Sequence, residues 1–202
     1  MVISKSNKRL LLILLKQFNV EHTITSLVKQ MSMTRVGIWK SAKKLEKEGL
    51  ISLDKIGEGK TSTYRINLDW SNALLEKTLS LLLAEESLTH KRWLSNFKEL
   101  EKDVYFLILF GSTATNKKEG NDIDILFTFS GKRAILNVEK KVNAVQRTLD
   151  KKIHTIGFTE AELKKELLKN NNAMVSAINE GIVLYGHEKF ILFIKKVSQD
   201  FK

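Results

Sequence analysis

Apolar positions recur at helical spacing through the first fifty residues. Residues 5–18 follow one helical pattern, and in EHTITSLVKQM the apolar side chains Ile24, Leu27, Val28 and Met31 keep it. In MSMTRVGIWKSAKKLEKEGLISL, Ile38, Ala42 and Leu45 fall at i, i+4 and i+7, one face of a third helix. Thr34 stands where an N-cap belongs, and Gly49 where a glycine closes a helix. After Gly49 the period changes to two. LISLDKI and TSTYRINL flank Gly57-Glu58-Gly59-Lys60 and predict a β-hairpin.

A long helical pattern comes next. No glycine occurs between Gly59 and Gly111 and no proline anywhere, so this stretch is not a floppy linker. Leu75, Leu79, Leu82 and Leu83 form one apolar stripe, and Trp93 and Phe97, four apart, form another. Helices are expected near 71–84 and 87–101, the first able to serve as a dimerisation helix and the second packing on the C-terminal domain. VYFLILF at 104–110 is a continuous apolar run, the mark of a buried central strand. Gly111-Ser112 ends it, a short turn or helix is expected over 113–118, and NDIDILFTF alternates into a second strand.

Composition adds constraints. The chain has 202 residues, 43% hydrophobic and 28% charged, the profile of an ordinary globular protein. It has no cysteine, which excludes disulfides and thiolate metal sites and is compatible with a reducing cytoplasm. The apolar run Leu10–Leu15 ends at Lys16, too short for a membrane span or a typical signal sequence, so it reads as a core helix and no membrane partner is expected. The net charge is +11, and residues 1–70 hold 13 Lys+Arg against 6 Asp+Glu. A basic block of this kind points toward nucleic acid.

The order helix, helix, helix, hairpin, with LEKEGLI closing the third helix, resembles the winged helix-turn-helix of bacterial and archaeal regulators over about residues 5–68. That resemblance implies a third helix in the major groove of double-stranded DNA and a hairpin wing on the flanking backbone. Carried over, Arg35, Val36, Gly37, Trp39, Lys40, Lys43 and Lys44 face outward, and Lys55, Lys60 and Arg65 belong to the wing. The lysines would meet phosphates, and Arg35 near the helix start is best placed to read a base edge. Trp39 fits a covering role against the hairpin or a partner chain better than base contact, because large aromatics are usually part-buried.

Asp122 and Asp124 are two apart at the start of a strand and therefore share a face. Adjacent carboxylates repel each other and persist most readily around a divalent cation, and an all-oxygen carboxylate set suits Mg²⁺ or Mn²⁺. Gly111-Ser112 lets the backbone approach a ligand, with free N–H groups able to meet an anion. Metal carboxylates plus a phosphate pocket equip a site for phosphoryl transfer.

GSTATNKKEGNDIDI, together with KKIHTIGFTEAELKKEL and NEGIVLYG, resembles the DNA polymerase β-like nucleotidyltransferase superfamily, nearest its small minimal-nucleotidyltransferase group, over about residues 88–195. The resemblance implies that Gly111, Ser112 and Asn121 (where the family often has serine) meet the nucleotide, and that Asp122 and Asp124 hold the metal. The family's third carboxylate falls on the strand KKIHTIGF. There the matching position is His154, while Asp150 and Glu160 flank the strand. Thr115-Asn116 also replaces an Arg-Gly pair common in the family.

The expected architecture is mixed α+β. It comprises a winged helix-turn-helix domain over 1–69, a helical connector over 70–86, and a nucleotidyltransferase-like α/β domain with a mixed sheet over 87–202. The expected function is a DNA-binding cytoplasmic protein, antitoxin-like and homodimeric, with a toxin protein as a candidate partner. It would transfer a nucleoside monophosphate from NTP to a hydroxyl. The alternative is a transcriptional regulator whose second domain only binds nucleotide or mediates assembly.

Overall fold

The computed structural model describes residues 3–59, 62–115 and 122–201. Of the residues singled out above, Lys60, Asn116 and Asn121 lie outside the described residues. Contacts within the chain separate it into residues 1–82 and 83–202.

The first unit opens with α1 (Lys5–Lys16), whose N-cap Ser4 accepts from the Asn7 N–H. Helix α2 (Ile24–Met31) starts on a capping box between Thr23 and Ser26, and α3 (Arg35–Lys47) starts on Thr34, which accepts from the Gly37 N–H at 3.1 Å. Leu10, Leu11, Leu15, Leu27, Ile38 and Leu45 are fully buried, so the apolar faces of these helices meet in one core. Gly49, at φ +68, turns the chain out of α3 into β1 (Ile51–Ile56), which pairs antiparallel with β2 (Thr63–Leu68). Asn72 holds that turn from below. Its amide donates to the Gly49 carbonyl at 2.8 Å while its oxygen accepts from the Leu74 N–H at 2.9 Å. Helix α4 (Ala73–Ser87) is next in the chain, and the division between the units falls inside it. The stripe Leu75, Leu79, Leu82 and Leu83 is buried, and Leu74 and Leu81 are the exposed leucines of this helix.

His22 is buried beside the hairpin. Its carbonyl accepts from the Ile66 N–H at 2.8 Å and its Nε2 lies 3.2 Å from the Gln17 carbonyl.

In the second unit the single helix expected over 87–101 is broken. A 3₁₀ turn (Leu88–His90), the short α5 (Lys91–Asn96) and another 3₁₀ turn (Lys98–Leu100) replace it. The Thr89 hydroxyl donates to the Glu86 carbonyl at 2.7 Å, competing with the helical ladder. The bend at Phe97 lets Trp93, Phe97 and Leu100 enter the same core. Strand β3 (Phe106–Phe110), α6 (Gly111–Thr115), β4 (Asp122–Thr128), α7 (Lys132–Gln146) and β5 (Lys152–Phe158) continue the unit. Then come α8 (Glu160–Leu168), α9 (Asn172–Glu180), β6 (Ile182–Tyr185) and α10 (His187–Gln199).

The sheet order is β5-β4-β3-β6, with β4 and β5 parallel and the other pairs antiparallel. A parallel pair needs a crossover, and α7 supplies it. One face buries Leu107, Leu109, Ile123, Ile125, Phe127 and Ile153 with Val138 and Val142 of α7. On the other face Phe106 lies 5.4 Å from the ring centroids of both Phe190 and Phe193 in α10.

Desolvation holds the His22 pKa below its ordinary value and outweighs the opposing backbone hydrogen bond. The unfolded chain therefore takes up the proton first. The stability this contributes is full above the ordinary imidazole pKa and is lost as pH falls below it. Thermal melts at about pH 7.5 and about pH 5.5, either side of that value, should show a lower Tm in acid. The drop should be smaller in His22→Gln.

Candidate metal and nucleotide site

Alternation in β4 builds the site. Ile123 and Ile125 are buried in the core, so Asp122 and Asp124 emerge together on the opposite face, each part-exposed. The antiparallel register sets Phe110 against Asp124, which brings the end of β3 and the turn after it alongside the pair. Gly111 makes that turn at φ +71, in the left-handed region. A Cβ built there would collide with Asp124 Oδ2 and sit 3.3 Å from its Cγ. The backbone angle favours glycine, and any side chain there would have to push the Asp124 carboxylate aside. Thr113 Oγ1 donates to the Asp122 carbonyl at 2.9 Å and ties α6 to the start of β4. Because α6 is a single turn, its exposed N–H groups rather than a macrodipole are what Gly111 and Ser112 offer an anion.

The parallel register sets His154 against Asp124 and Lys152 against Asp122. His154 Nδ1 stands 3.4 Å from Asp124 Oδ1, an electrostatic contact longer than a good hydrogen bond. The side chains are 44% and 27% exposed, so the contact faces solvent. Glu160 begins α8 at the far end of β5, where Lys196 approaches it at 3.9 Å. A seven-residue strand, roughly 20 Å at the usual rise, separates it from the Asp122 end. Asp150 precedes β5 in an exposed bend.

The donor set fits one Mg²⁺ or Mn²⁺. Asp122 and Asp124 would hold it, with nucleotide phosphate and water filling the remaining positions, as these ions prefer. The bound ion would neutralise phosphate charge and polarise the reacting phosphoryl group. Among the described residues, no three His, Asp or Glu side chains are arranged to hold a metal by themselves.

Lys152 carried no signal in the sequence alone, although alternation from His154 places it on the same face. Its partner strand was the missing information. Thr113 left no sequence signal either, because its role depends on the close approach of α6 to β4.

The basic residues of the first unit divide. Arg35, Val36, Lys40, Lys43 and Lys44 are exposed on α3, and Lys55 is exposed on β1. Trp39 is half-buried with its ring centroid 4.9 Å from that of Tyr64, covering the hairpin. Lys43 lies 5.0 Å above the Trp39 ring and 2.7 Å from Glu46. Arg65 is engaged elsewhere, its guanidinium 2.9 Å from Glu21. A largely apolar cleft of about 270 Å³ lies between Arg35, Val36 and Trp39 on one side and Thr63 and Tyr64 on the other.

Gly111→Ala should cost roughly 1–3 kcal/mol, the range for a non-glycine residue forced into a strained backbone region. Urea denaturation should show this as a lower midpoint, while Ser112→Ala, part-exposed on the same turn, should leave the midpoint nearly unchanged. Among the described residues, no helix is long and apolar enough to cross a membrane. No curated protein and no solved structure matches the chain. Residues 93–189 match the family model described as Polymerase beta, Nucleotidyltransferase, which marks this part of the mixed α+β chain as a nucleotidyltransferase-like domain.

Proposed function

We propose that the second unit transfers a nucleoside monophosphate from an NTP to a hydroxyl group, using Mg²⁺ or Mn²⁺ held by Asp122 and Asp124. The observation that carries this reading is the seating of Gly111 at φ +71 against Asp124, with Asp122 on the same face. A backbone turn with open N–H groups beside a carboxylate pair accommodates a metal-bound triphosphate. In the reaction the acceptor oxygen bonds to the α-phosphorus, the bond to pyrophosphate breaks, and the hydroxyl proton leaves. Gly111 and Ser112 would hold phosphate oxygens, and the two aspartates would fix the metal-bound nucleotide against the acceptor.

We further propose that the first unit is a winged helix-turn-helix that binds double-stranded DNA through α3. The exposed Lys40, Lys43 and Lys44 and the capped start of α3 at Arg35 support this. Two-fold DNA sites call for a second copy of the chain. Leu74 and Leu81, exposed seven apart on α4, support such pairing, the inner stripe being buried. Cytoplasmic location and an antitoxin role, with a toxin protein as the hydroxyl acceptor, belong to the same reading by family analogy.

One observation favours a second reading. His154, not an acid, stands against Asp124. A regulator that binds nucleotide without transferring it would need no third carboxylate.

The first test supplies each α-labelled NTP with Mg²⁺ or Mn²⁺ and with protein, nucleic-acid and small-molecule acceptors. Label should transfer, and Asp122→Ala or Asp124→Ala should reduce it about a hundredfold or more, the scale of losing a principal electrostatic contact. Binding without transfer under both metals would leave the regulator reading in its place. The second test is a gel shift with the upstream region of the protein's own gene at low salt. Lys40→Glu with Lys44→Glu should weaken binding for all sequences and flatten the salt dependence by about one unit per lost phosphate contact. Arg35→Ala should mainly relax sequence preference, by about 1–3 kcal/mol. No shift at low salt would remove the DNA-binding half of the proposal.

A further inference from the structure

Strand β5 carries an arrangement that the transfer reading does not use. Lys152 opens the strand, is exposed, and stands in register with Asp122, as His154 does with Asp124. Ile153 between them is buried with Ile123 and Ile125. Lys152 and His154 therefore share the face that carries the two aspartates, which the His154–Asp124 contact at 3.4 Å bears out directly. The wall next to the carboxylate pair is thus an ammonium and an imidazole, with no acid on this face of β5.

Charge balance gives this wall a consequence. A nucleoside triphosphate brings several negative charges to a site that already holds two carboxylates, and one divalent ion leaves most of that charge uncompensated. Phosphoryl-transfer sites supply the remainder either with a second divalent ion, which needs further oxygen ligands, or with fixed cations. Among the described residues, this face of β5 offers no oxygen ligand for a second ion. Imidazole is a poor ligand for Mg²⁺, and an ammonium repels any cation placed beside it. Glu160 is at the wrong end of the strand, and Asp150 lies outside it. The alternative for Lys152 is a plain cross-strand ion pair with Asp122, worth little at an exposed edge.

We infer that Lys152, beside His154, is a phosphate-binding residue of this site, and that the site takes its nucleotide with a single divalent ion. The inference rests on the reading of Asp122 and Asp124 as a metal and nucleotide site. The ammonium would meet phosphate oxygens as a mobile point charge on a flexible stem.

The test counts ions without relying on turnover. The full chain is mixed with Mn²⁺ and each of the four α,β-methylene nucleoside triphosphates, which resist transfer. Bound nucleotide and bound Mn²⁺ are then measured together by equilibrium dialysis and by the electron paramagnetic resonance of free Mn²⁺. One Mn²⁺ per bound nucleotide is expected. Lys152→Ala should weaken nucleotide binding about ten- to a hundredfold, the worth of a charge-assisted hydrogen bond, and Lys152→Arg should retain most of it. The double variant Lys152→Asp, His154→Asp should gain a second Mn²⁺ per nucleotide. Two Mn²⁺ per nucleotide in the unaltered chain would overturn the inference. So would nucleotide affinity that Lys152→Ala leaves unchanged, which is the outcome for a merely structural ion pair. Mn²⁺ and nucleotide binding that survives Asp122→Ala and Asp124→Ala, or no nucleotide binding at all, would instead strike the underlying reading of the site and take this inference with it.

Discussion

The contact between Gly111 and the Asp124 carboxylate is the constraint on which the site depends. Strand β3 must end, and the chain must turn, where the side chain of the neighbouring strand already occupies the space of a Cβ. Its φ of +71 favours glycine at that position and sends α6 back across the start of β4, where Thr113 fastens it. The register that produces this contact is set by the core. Ile123, Ile125 and Phe127 must face α7, so Asp122 and Asp124 must face away. Sliding β4 by one residue would turn both carboxylates into the core that Ile123 and Ile125 now fill, a costly burial of charge. The chemistry of the site is therefore held in place by hydrophobic burial on the reverse face of the same strand.

The parallel pairing of β4 with β5 extends this logic to the edge of the sheet. Strand β5 is long enough to lie along all of β4, and Ile153 anchors it in the core. With that anchor fixed, Lys152 and His154 fall beside Asp122 and Asp124 without any further requirement. A lysine and a histidine on an edge strand also discourage pairing with another chain. Their placement thus serves the sheet as well as the charge of the site, which is why affinity and ion count, rather than stability, are the quantities that separate the two roles.

Local signals were legible and partner choice was not. The cap at Thr34, the glycine at Gly49, the buried run of β3 and the shared face of Asp122 and Asp124 all derive from the identity and spacing of neighbouring residues. The break in the helix expected over 87–101 does not, because it depends on Thr89 capturing a carbonyl and on two aromatic rings seeking one core. Lys152 was invisible for the same reason. Its meaning comes from the strand beside it, some thirty residues earlier in the chain. Arg65 belongs with these. Its exposed ion pair with Glu21, far off in sequence, has no local signal.

On the proposed DNA-binding reading, the exposed cations of the first unit would supply the phosphate contacts. Arg35, Lys40, Lys44 and Lys47 on α3 and Lys55 on β1 are exposed, as is Lys43, which also meets Trp39 and Glu46. Lysines attract phosphate without distinguishing bases, so they set affinity and its sensitivity to salt. On that reading, discrimination would rest on the first turn of α3, where Arg35 would bond to a base edge and Val36, 63% exposed, would meet a thymine methyl. Trp39, packed on Tyr64, fixes the angle between helix and hairpin and so the depth to which that turn could enter a groove.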